Sequence, residues 1–265
     1  MIRCYLSGNE EHDRVIRAFA EGCKGELVKG WAYKPSEVAV IFGVYKSKVP
    51  ISYPRGEIFR RQREQKLDVV VLETGYINRG STETNHYAAG FNGLNGRADF
   101  RNKGMPPDRA EKLGVKLKPW KLDGKNIILC GQVPWDAQCE GTDHIQWLED
   151  TARKLLRLGR PVVFRPHPLG PPLSINGCLP HKKTLKEDLE DAYYVVTFNS
   201  NSAVEAVIEG IPVTASDEGS MALAVTSSIA SREAPDRQSW LNDLAYTQWT
   251  PSEMREGLTW RHLSR

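Results

Sequence analysis

Residues 194–213 join an apolar strand pattern directly to a polar helix start, and this unit constrains the fold more than any other part of the chain. The run YVVTF at 194–198 is apolar and β-branched, which is typical of a buried strand in a parallel sheet. Residues 199–202 then supply N-cap chemistry, a good helix former follows, and Gly210 ends the helix. A strand that feeds a helix in this way predicts an α/β protein.

The rest of the chain repeats the alternation of strand and helix patterns. Strands are predicted at 2–6, 38–42, 69–72, 126–130, 162–164, 194–198 and 212–215. Helices are predicted at 11–22, 57–66, 142–158, 185–191 and from the capping box at 250–253 to Leu263. The alternation indicates parallel βαβ units with right-handed crossovers. Trp240, Trp249 and Trp260 are expected to dock the terminal helices.

Residues 75–121 depart from the alternation. They are rich in Gly, Asn and Arg, and they contain the turn signals Asn92-Gly93 and Asn95-Gly96. A connection of this length without elements of its own is uncommon and is usually functional. We therefore expect a domain boundary here, between two Rossmann-like halves at 1–120 and 121–265.

Cationic and hydrogen-bonding side chains follow the strand predicted at 162–164. Arg165 and His167 stand in the sequence RPHP, in which two prolines restrict the turn. Arg grips phosphate with a fork of donors, and His can donate to the same group. Since the carboxyl edge of a parallel sheet also presents helix starts to anions, Arg165, His167 and Ser200 are predicted to face one phosphate. The plainer alternatives are an ordinary loop histidine and serines that only cap a helix.

These segments, taken in order, resemble the nucleotide-sugar half of GT-B glycosyltransferases of the capsule-polysaccharide-synthesis type. Those proteins carry an His-Pro motif, a serine-led helix with Glu-Ala and a Gly-x-Pro-Val ending, which His167-Pro168 and Gly210–Val213 match here. The stretch 127–136 is similar to their upstream segment, a strand that ends in Gln132 with Asp136 four residues on. The likeness covers residues 121–216 and is specific as an ordered set only.

The resemblance implies a small GT-B-like α/β protein whose two Rossmann-like halves face a cleft. The half at 121–265 would bind a nucleotide-sugar donor, and the half at 1–120 would bind the acceptor. The reaction would be attack of an acceptor hydroxyl on the anomeric carbon while the nucleotide leaves with negative charge. The predicted donor-binding residues are Gln132, Arg165, Ser200, Asn201, Ser202 and Glu205. Glu205 would hold ribose hydroxyls, although helix-dipole stabilisation explains it equally well.

This chemistry needs a base for the hydroxyl and positive groups for the leaving phosphate. Asp136 and His167 are the predicted catalytic residues, with Asp136 as the base. A cap or turn role explains Asp136 equally well, and its rivals for the base are Asp99, Glu73 and His86. The sequence lacks an Asp-x-Asp pair to hold a metal, so we expect a metal-independent enzyme with no cofactor and a nucleotide sugar as co-substrate.

Two basic segments, 55–63 and 97–125, suggest an anionic acceptor, although a solvated helix face and a basic loop explain them at least as well. The predicted acceptor-binding residues are Arg60, Arg61, Arg63, Asp99 and Arg101. The chain also resembles phage enzymes that put sugars on hydroxymethylated pyrimidines in DNA, so 5-hydroxymethylpyrimidine is the leading acceptor. The aromatics available to stack on an exposed base, unless they fill the core, are Trp31, Tyr33, Tyr76, Tyr87 and Phe91.

Composition keeps two alternatives open, a saccharide or glycan acceptor and a non-catalytic protein that binds a nucleotide or glycan. The net charge of +3 does not by itself indicate nucleic acid. No apolar run is long enough to cross a bilayer and the start lacks a signal-peptide pattern, so we expect a cytoplasmic protein, in the host cytoplasm if of phage origin, with no membrane partner. Five scattered cysteines without Cys-x-x-Cys spacing predict free thiols.

Overall fold

The computed structural model describes residues 1–29, 32–44, 54–121, 123–231 and 235–265. It divides the chain into two compact units, one formed by Met1–Leu113 with Leu241–Arg265 and the other by Gly114–Trp240. The expected halves at 1–120 and 121–265 divide the chain differently at its end. Residues 241–265, which the sequence pattern assigned to the second half, pack in the first unit because their apolar side chains join its core.

Strands and helices alternate along much of the chain as the sequence predicts, and the described residues add strands that it did not predict at 26–28, 87–91, 179–180 and 248–249. The strands are β1 (Ile2–Tyr5), β2 (Glu26–Val28), β3 (Val38–Phe42), β4 (Asp68–Thr74), β5 (Tyr87–Phe91), β6 (Asn126–Cys130), β7 (Val162–Arg165), β8 (Leu179–Pro180), β9 (Ala192–Thr197), β10 (Val213–Ala215) and β11 (Gln248–Trp249). The helices are α1 (Glu10–Cys23), α2 (Pro54–Glu64), α3 (Asp108–Leu113), α4 (His144–Leu156), α5 (Leu185–Glu190), α6 (Ser202–Ile208), α7 (Gln238–Ala245), α8 (Pro251–Arg255) and α9 (Leu258–Leu263).

The sheet of the first unit has the strand order β11-β5-β4-β3-β1-β2. Strands β2, β1, β3 and β4 are parallel, whereas β5 is antiparallel to β4 and β11 is antiparallel to β5. The segment 75–121 is therefore not structureless, since it contributes β5 and α3. The sequence pattern did not predict β5, because this strand, YAAGF, is short and contains Gly90. Phe100 packs so close to Gly90 that a side chain at position 90 would not fit.

Both faces of this sheet are covered, which explains its continuous apolar strands. Alternate residues of β3 and β4, such as Val40 and Leu72, face α1 and the C-terminal helices. The intervening residues, such as Ile41 and Val71, face Ile58 of α2. Period-two burial of this kind fixes the register, because a shift by one residue would exchange the two faces.

The C-terminal helices pack on α1 through glycine. A Cβ on Gly22 would lie 1.9 Å from the carbonyl oxygen of Met254, so only glycine permits this approach. The capping box at Thr250 is confirmed, with Glu253 as its partner. The single final helix predicted to reach Leu263 is wrong, because Gly257 adopts φ +74° and separates α8 from α9.

The tryptophans of the terminal segment have the docking role that was expected. Trp240 and Trp249 are buried, and Trp260 packs edge-on against Phe19 of α1.

In the second unit the sheet order is β10-β9-β6-β7-β8, and every pairing is parallel. Its largest core cluster joins this sheet to α4 through Leu148. The βαβ organisation predicted from the sequence is confirmed here.

Candidate functional site

Three neighbouring parallel strands of the second unit, β7, β6 and β9, end at the same sheet edge. Gln132 follows β6, Arg165 and His167 stand at the end of β7, and Ser200 follows β9. The predicted donor-binding residues are thus brought to one edge by the topology, which is where open α/β sheets bind ligands. Whether they bind a donor stays a prediction.

Gln132 and Asn199 form a double hydrogen bond across the ends of β6 and β9. Nε2 of Gln132 donates to Oδ1 of Asn199 at 2.6 Å, and the backbone N–H of Asn199 donates to Oε1 of Gln132 at 2.9 Å. The amide of Asn199 also donates to Gln138 O at 2.9 Å and to the carboxylate of Asp217 at 2.6 Å. Gln132 therefore ties two strand ends together, a structural role that the sequence did not reveal.

His144 accepts a hydrogen bond from Gln132, the residue that follows β6. Its ring is buried and stacks on Trp147, and its Nε2 accepts the backbone N–H of Gln132 at 3.0 Å. Burial lowers the pKa of His144. The ring is therefore neutral near pH 7, with its proton on Nδ1.

Arg165 is half-buried and pairs with a buried carboxylate. Its Nη1 lies 2.9 Å from Oδ2 of Asp188 and 3.2 Å from both Nδ1 of His181 and the carbonyl oxygen of Lys182. Asp188 is 3% exposed, so this ion pair is shielded from water. In the part of the chain that the structure describes, all three contacts use Nη1, which leaves one side of the guanidinium fork for a ligand.

His167 lies beside a small, mostly apolar depression at the same edge. Its Nδ1 accepts the backbone N–H of Leu169 at 3.1 Å, so a neutral ring carries its proton on Nε2 and can donate from there. The depression is lined by Gly131, Gln132, Pro134, Leu148, Phe164, Pro166, His167, Gly170, Pro171 and Leu173. His167 is thus the predicted site residue that lines a concave surface together with Gln132.

Residues at the start of α6 form hydrogen bonds with one another. The Oγ of Ser200 accepts the N–H of Ser202 at 3.3 Å, and the amide of Asn201 donates to the exposed Glu205 at 3.3 Å. The buried Ser202 lies beside Cys130, whose pKa burial raises to about 11, so this cysteine stays a thiol. The plainer interpretation of the serines as capping residues therefore fits Ser200 only, since the N-cap residue Asn201 makes no side-chain cap hydrogen bond, and α6 is only 7 residues long.

Asp136 is exposed and caps a short 3₁₀ turn at 137–139, where its Oδ1 accepts the N–H of Gln138 at 2.8 Å. The structure thus gives this carboxylate a local structural contact, as the alternative interpretation of the sequence anticipated. Of its rivals, Asp99 is exposed and pairs with Arg101 at 2.9 Å. His86 is half-buried, and burial lowers its pKa.

The arginines of α2 are occupied by carboxylates or carbonyls of their own neighbourhood. Arg60 bridges Glu57 and Glu64, and Arg61 pairs with Glu57 while lying over the ring of Tyr33. Arg63 contacts the carbonyl oxygen of Leu67 at 3.1 Å and the carboxylate of Asp68 at 3.5 Å. These are exposed pairs of small energy, and they match the interpretation of this segment as a solvated helix face.

Most of the aromatics proposed to stack on a base fill the core instead. Tyr76, Tyr87 and Phe91 are buried, and Arg101 lies over Phe91. Tyr33 is half-buried, and its hydroxyl donates to Gln62 at 2.7 Å. Trp31 lies outside the described residues. The core explanation of these aromatics therefore holds for the three buried rings.

The carboxyl edge of the first sheet gathers a second set of polar residues. Arg55 is buried, and its Nη1 donates to the carbonyl oxygen of Phe42 at the end of β3. Glu73, near the end of β4, is half-buried, and its Oε1 accepts the N–H of Thr74 at 2.8 Å. The sequence named Glu73 only as a rival base and missed Arg55, which looked like one more cation of a basic helix.

Comparison with solved structures gives matches along nearly the whole chain. Thermosulfurimonas dismutans KpsC, beta Kdo 2,7 transferase, matches with a TM-score of 0.59 and 16% identity over 98% of this chain and 99% of that one. Thermosulfurimonas dismutans KpsC, beta Kdo 2,4 transferase, matches with a TM-score of 0.54 and 13% identity over 92% of this chain and 89% of that one. This chain has a GT-B-like fold. No protein-family profile and no curated protein sequence matches it.

Two further observations concern ligands and membranes. Within the described ranges, no group of three or more His, Cys, Asp or Glu side chains is placed to hold a metal ion. None of the helices in the described part of the chain has both the length and the apolar character needed to cross a bilayer.

Proposed function

We propose that this chain is a glycosyltransferase that moves a sugar from a nucleotide-sugar donor to a hydroxyl of a saccharide acceptor. The observation that carries the proposal is the whole-length match to a transferase fold, combined with the ordered motifs of residues 121–216 at one sheet edge. Fold alone does not imply function. Fold and motifs support this function together, because the motif residues Gln132, His167 and Ser200 follow adjacent strands of that fold.

The second unit supplies groups suited to a leaving phosphate. Arg165 keeps one side of its guanidinium for a ligand, and His167 lies at the same sheet edge with its Nδ1 turned to the N–H of Leu169. Positive and hydrogen-bonding groups of this kind stabilise the charge that develops as the nucleotide leaves. We propose that they do so without a metal ion, so excess chelator should leave turnover intact. Loss of turnover that magnesium or manganese restores would contradict this.

A saccharide acceptor is supported better than DNA. The structural neighbours are named as Kdo transferases, which makes a nucleotide-activated Kdo the first donor to test. The DNA prediction drew on the arginines of α2, and these lie in ion pairs with Glu57, Glu64 and Asp68. The 5-hydroxymethylpyrimidine acceptor stays a prediction that the same experiment tests.

The experiment is a matrix of donors and acceptors with mass spectrometry of both products. The donors are nucleotide-activated Kdo and common UDP-, GDP- and CMP-sugars, and the acceptors are Kdo-bearing oligosaccharides, simple glycans and hydroxymethylated DNA. We expect a mass gain of one sugar on a saccharide, with release of one nucleotide. The Arg165→Ala variant should bind the preferred nucleotide more weakly, while Arg160→Ala, an exposed arginine of the same unit, serves as the control.

The other outcomes separate the alternatives. Sugar transfer to hydroxymethylated DNA, with an affinity for duplex that falls steeply with salt, would replace the saccharide proposal by the DNA one. Nucleotide binding without turnover of any donor would indicate a non-catalytic binding protein. Equal nucleotide affinity in Arg165→Ala and the wild type would remove Arg165 from the donor site.

A further inference from the structure

Arg165, Asp188 and the backbone of Lys182 form a closed ring of hydrogen bonds in the second unit. Oδ2 of Asp188 accepts a hydrogen bond from Nη1 of Arg165 at 2.9 Å, and Oδ1 of Asp188 accepts the N–H of Lys182 at 2.8 Å. The carbonyl oxygen of Lys182 closes the ring by accepting from Nη1 of Arg165 at 3.2 Å. The ring joins the last residue of β7 to α5 and to the residues that follow β8.

This ring is shielded from water. The side chains of Arg165 and Asp188 are 15% and 2% exposed. An ion pair at this depth is weakly screened, and removing one partner leaves the other as an uncompensated buried charge. The guanidinium of Arg165 is therefore held in one orientation before a ligand arrives, whereas a free arginine loses rotamer freedom when it binds.

The ring takes up both hydrogens of a single guanidinium nitrogen. Nη1 of Arg165 carries two hydrogens, and Asp188 and Lys182 accept them. Nδ1 of His181 lies 3.2 Å from Nη1 but only 2.5 Å from the carbonyl oxygen of Lys182, so it carries a proton and donates to that carbonyl. Among the residues that the structure describes, none accepts a hydrogen bond from Nε or Nη2 of Arg165.

Nε and Nη2 form the edge of the guanidinium that remains for a ligand. Their parallel N–H groups match two oxygens of one phosphate. The charge of Asp188 offsets part of the charge of Arg165, so orientation rather than added positive charge is what Asp188 contributes. Building on the proposed function, we propose that Asp188 is a positioning residue of the donor site, which holds Arg165 by Nη1 so that Nε and Nη2 face the donor phosphate.

The test is a double-mutant cycle with nucleotide affinity as the readout. CMP, UDP and GDP are titrated into the wild type by calorimetry, and the tightest binder is then titrated into Asp188→Asn, Arg165→Ala and the double variant. Asp150→Asn is the control, because Asp150 contacts Arg153 on the surface of the same unit. Urea unfolding is measured for every variant. A purely structural role of Asp188 would weaken binding equally with and without Arg165.

We expect Asp188→Asn to weaken nucleotide binding by about tenfold, near the upper limit of what ordering one long side chain costs on binding. In the Arg165→Ala background the same change should alter affinity by less than about twofold, because Asp188 acts through Arg165. Asp150→Asn should bind like the wild type. An equal loss in both backgrounds overturns the proposal, as does a folded Asp188→Asn with the affinity of the wild type.

Arg165→Lys is a second test that holds even if Asp188→Asn fails to fold. Lysine keeps the charge beside Asp188 but has a single nitrogen, so it lacks a separate pair of donors for the phosphate. We expect its nucleotide affinity to be close to that of Arg165→Ala, and an affinity equal to that of the wild type overturns the proposal. A wild type that binds no nucleotide overturns the proposed function and this inference together, whereas weaker binding by Arg165→Ala alone overturns only the inference.

Discussion

Glu253 is the carboxylate whose removal tests the electrostatics of the first unit most directly. It is 7% exposed and receives Arg109 Nη1 at 3.1 Å, Arg109 Nη2 at 3.2 Å, Lys112 Nζ at 2.9 Å and the N–H of Thr250 at 2.9 Å. Arg109 in turn lies 3.7 Å from the centroid of Trp249. One side chain thus joins α3, the capping box of α8 and the C-terminal core.

Burial by itself would raise the pKa of Glu253, but the contacts with Arg109, Thr250 and Lys112 outweigh it and hold the pKa at about 2. An unfolded glutamate titrates near 4.3, so the difference corresponds to about 3 kcal/mol of stability. Because the folded-state pKa is the lower one, this stability is complete above about pH 5. It is lost as the pH falls from about 4.3 toward the folded value.

The Glu253→Gln variant should therefore lose up to about 3 kcal/mol of unfolding free energy at pH 7, since the amide keeps the shape but not the charge. Urea unfolding at pH 7, 5 and 3, followed by circular dichroism, measures this. The gap between variant and wild type should be constant from pH 7 to 5 and narrow at pH 3. Glu57→Gln is the control, because Glu57 also contacts two arginines but its side chain is 42% exposed.

Two results would refute this reasoning. The first is a gap that stays the same between pH 7 and pH 3, which would mean that the ion pair does not supply the stability. The second is an equal loss in Glu57→Gln, which would mean that burial does not strengthen the interaction.

Three further predictions follow from packing and burial. Gly22→Ala should lower the unfolding temperature measurably, because the added Cβ would lie 1.9 Å from the carbonyl oxygen of Met254. Arg17→Ala on the exposed face of α1 is the control and should leave the unfolding temperature unchanged. Equal unfolding temperatures for the two variants would disprove the close packing at Gly22. Arg237→Leu should lower the free energy of unfolding in urea by about 2 kcal/mol, because the carbonyl oxygens of Val207 and Lys118 lose donors at 2.6 Å. The control is Arg160→Leu, which removes an exposed arginine over Tyr193 and should change the free energy little. A larger loss in the control than in Arg237→Leu would contradict this prediction. Burial lowers the pKa of His144, so in an NMR titration its ring should stay neutral below the ordinary histidine pKa of about 6.5. The unfolded protein binds this proton more readily, so the free energy of unfolding should fall as the pH drops below about 6.5. A titration of His144 at the ordinary pKa would exclude its role as a buried acceptor.

The donor-side predictions show where sequence reasoning succeeds. Parallel strands place their carboxyl ends at one edge, so the residues after β6, β7 and β9 could be grouped from the apolar runs alone. What those side chains contact could not be predicted in the same way. Gln132 bonds to Asn199 and Arg165 to Asp188, and such pairs depend on which strands are neighbours and how deeply each side chain is buried.

Asp136 and Arg55 illustrate the same limit. The sequence ranked Asp136 as the first candidate base because it follows a predicted strand within the segment that resembles known transferases. The exposure of Asp136 and its hydrogen bond with the N–H of Gln138 are properties of the packed structure. Arg55 was grouped with its helix neighbours for the same reason, since burial of one arginine among several cannot be read from charge spacing.

The sequence by itself determined the alternation of strands and helices, the parallel pairing of the second sheet and the caps at Thr250 and Gly210, because these depend on local periodicity and backbone preference. Only the tertiary structure decided that residues 241–265 belong to the first unit and that β5 runs antiparallel within its sheet. Those outcomes depend on contacts between residues far apart in the chain, such as Gly22 with Met254. Burial at such contacts outweighs what any short segment prefers on its own.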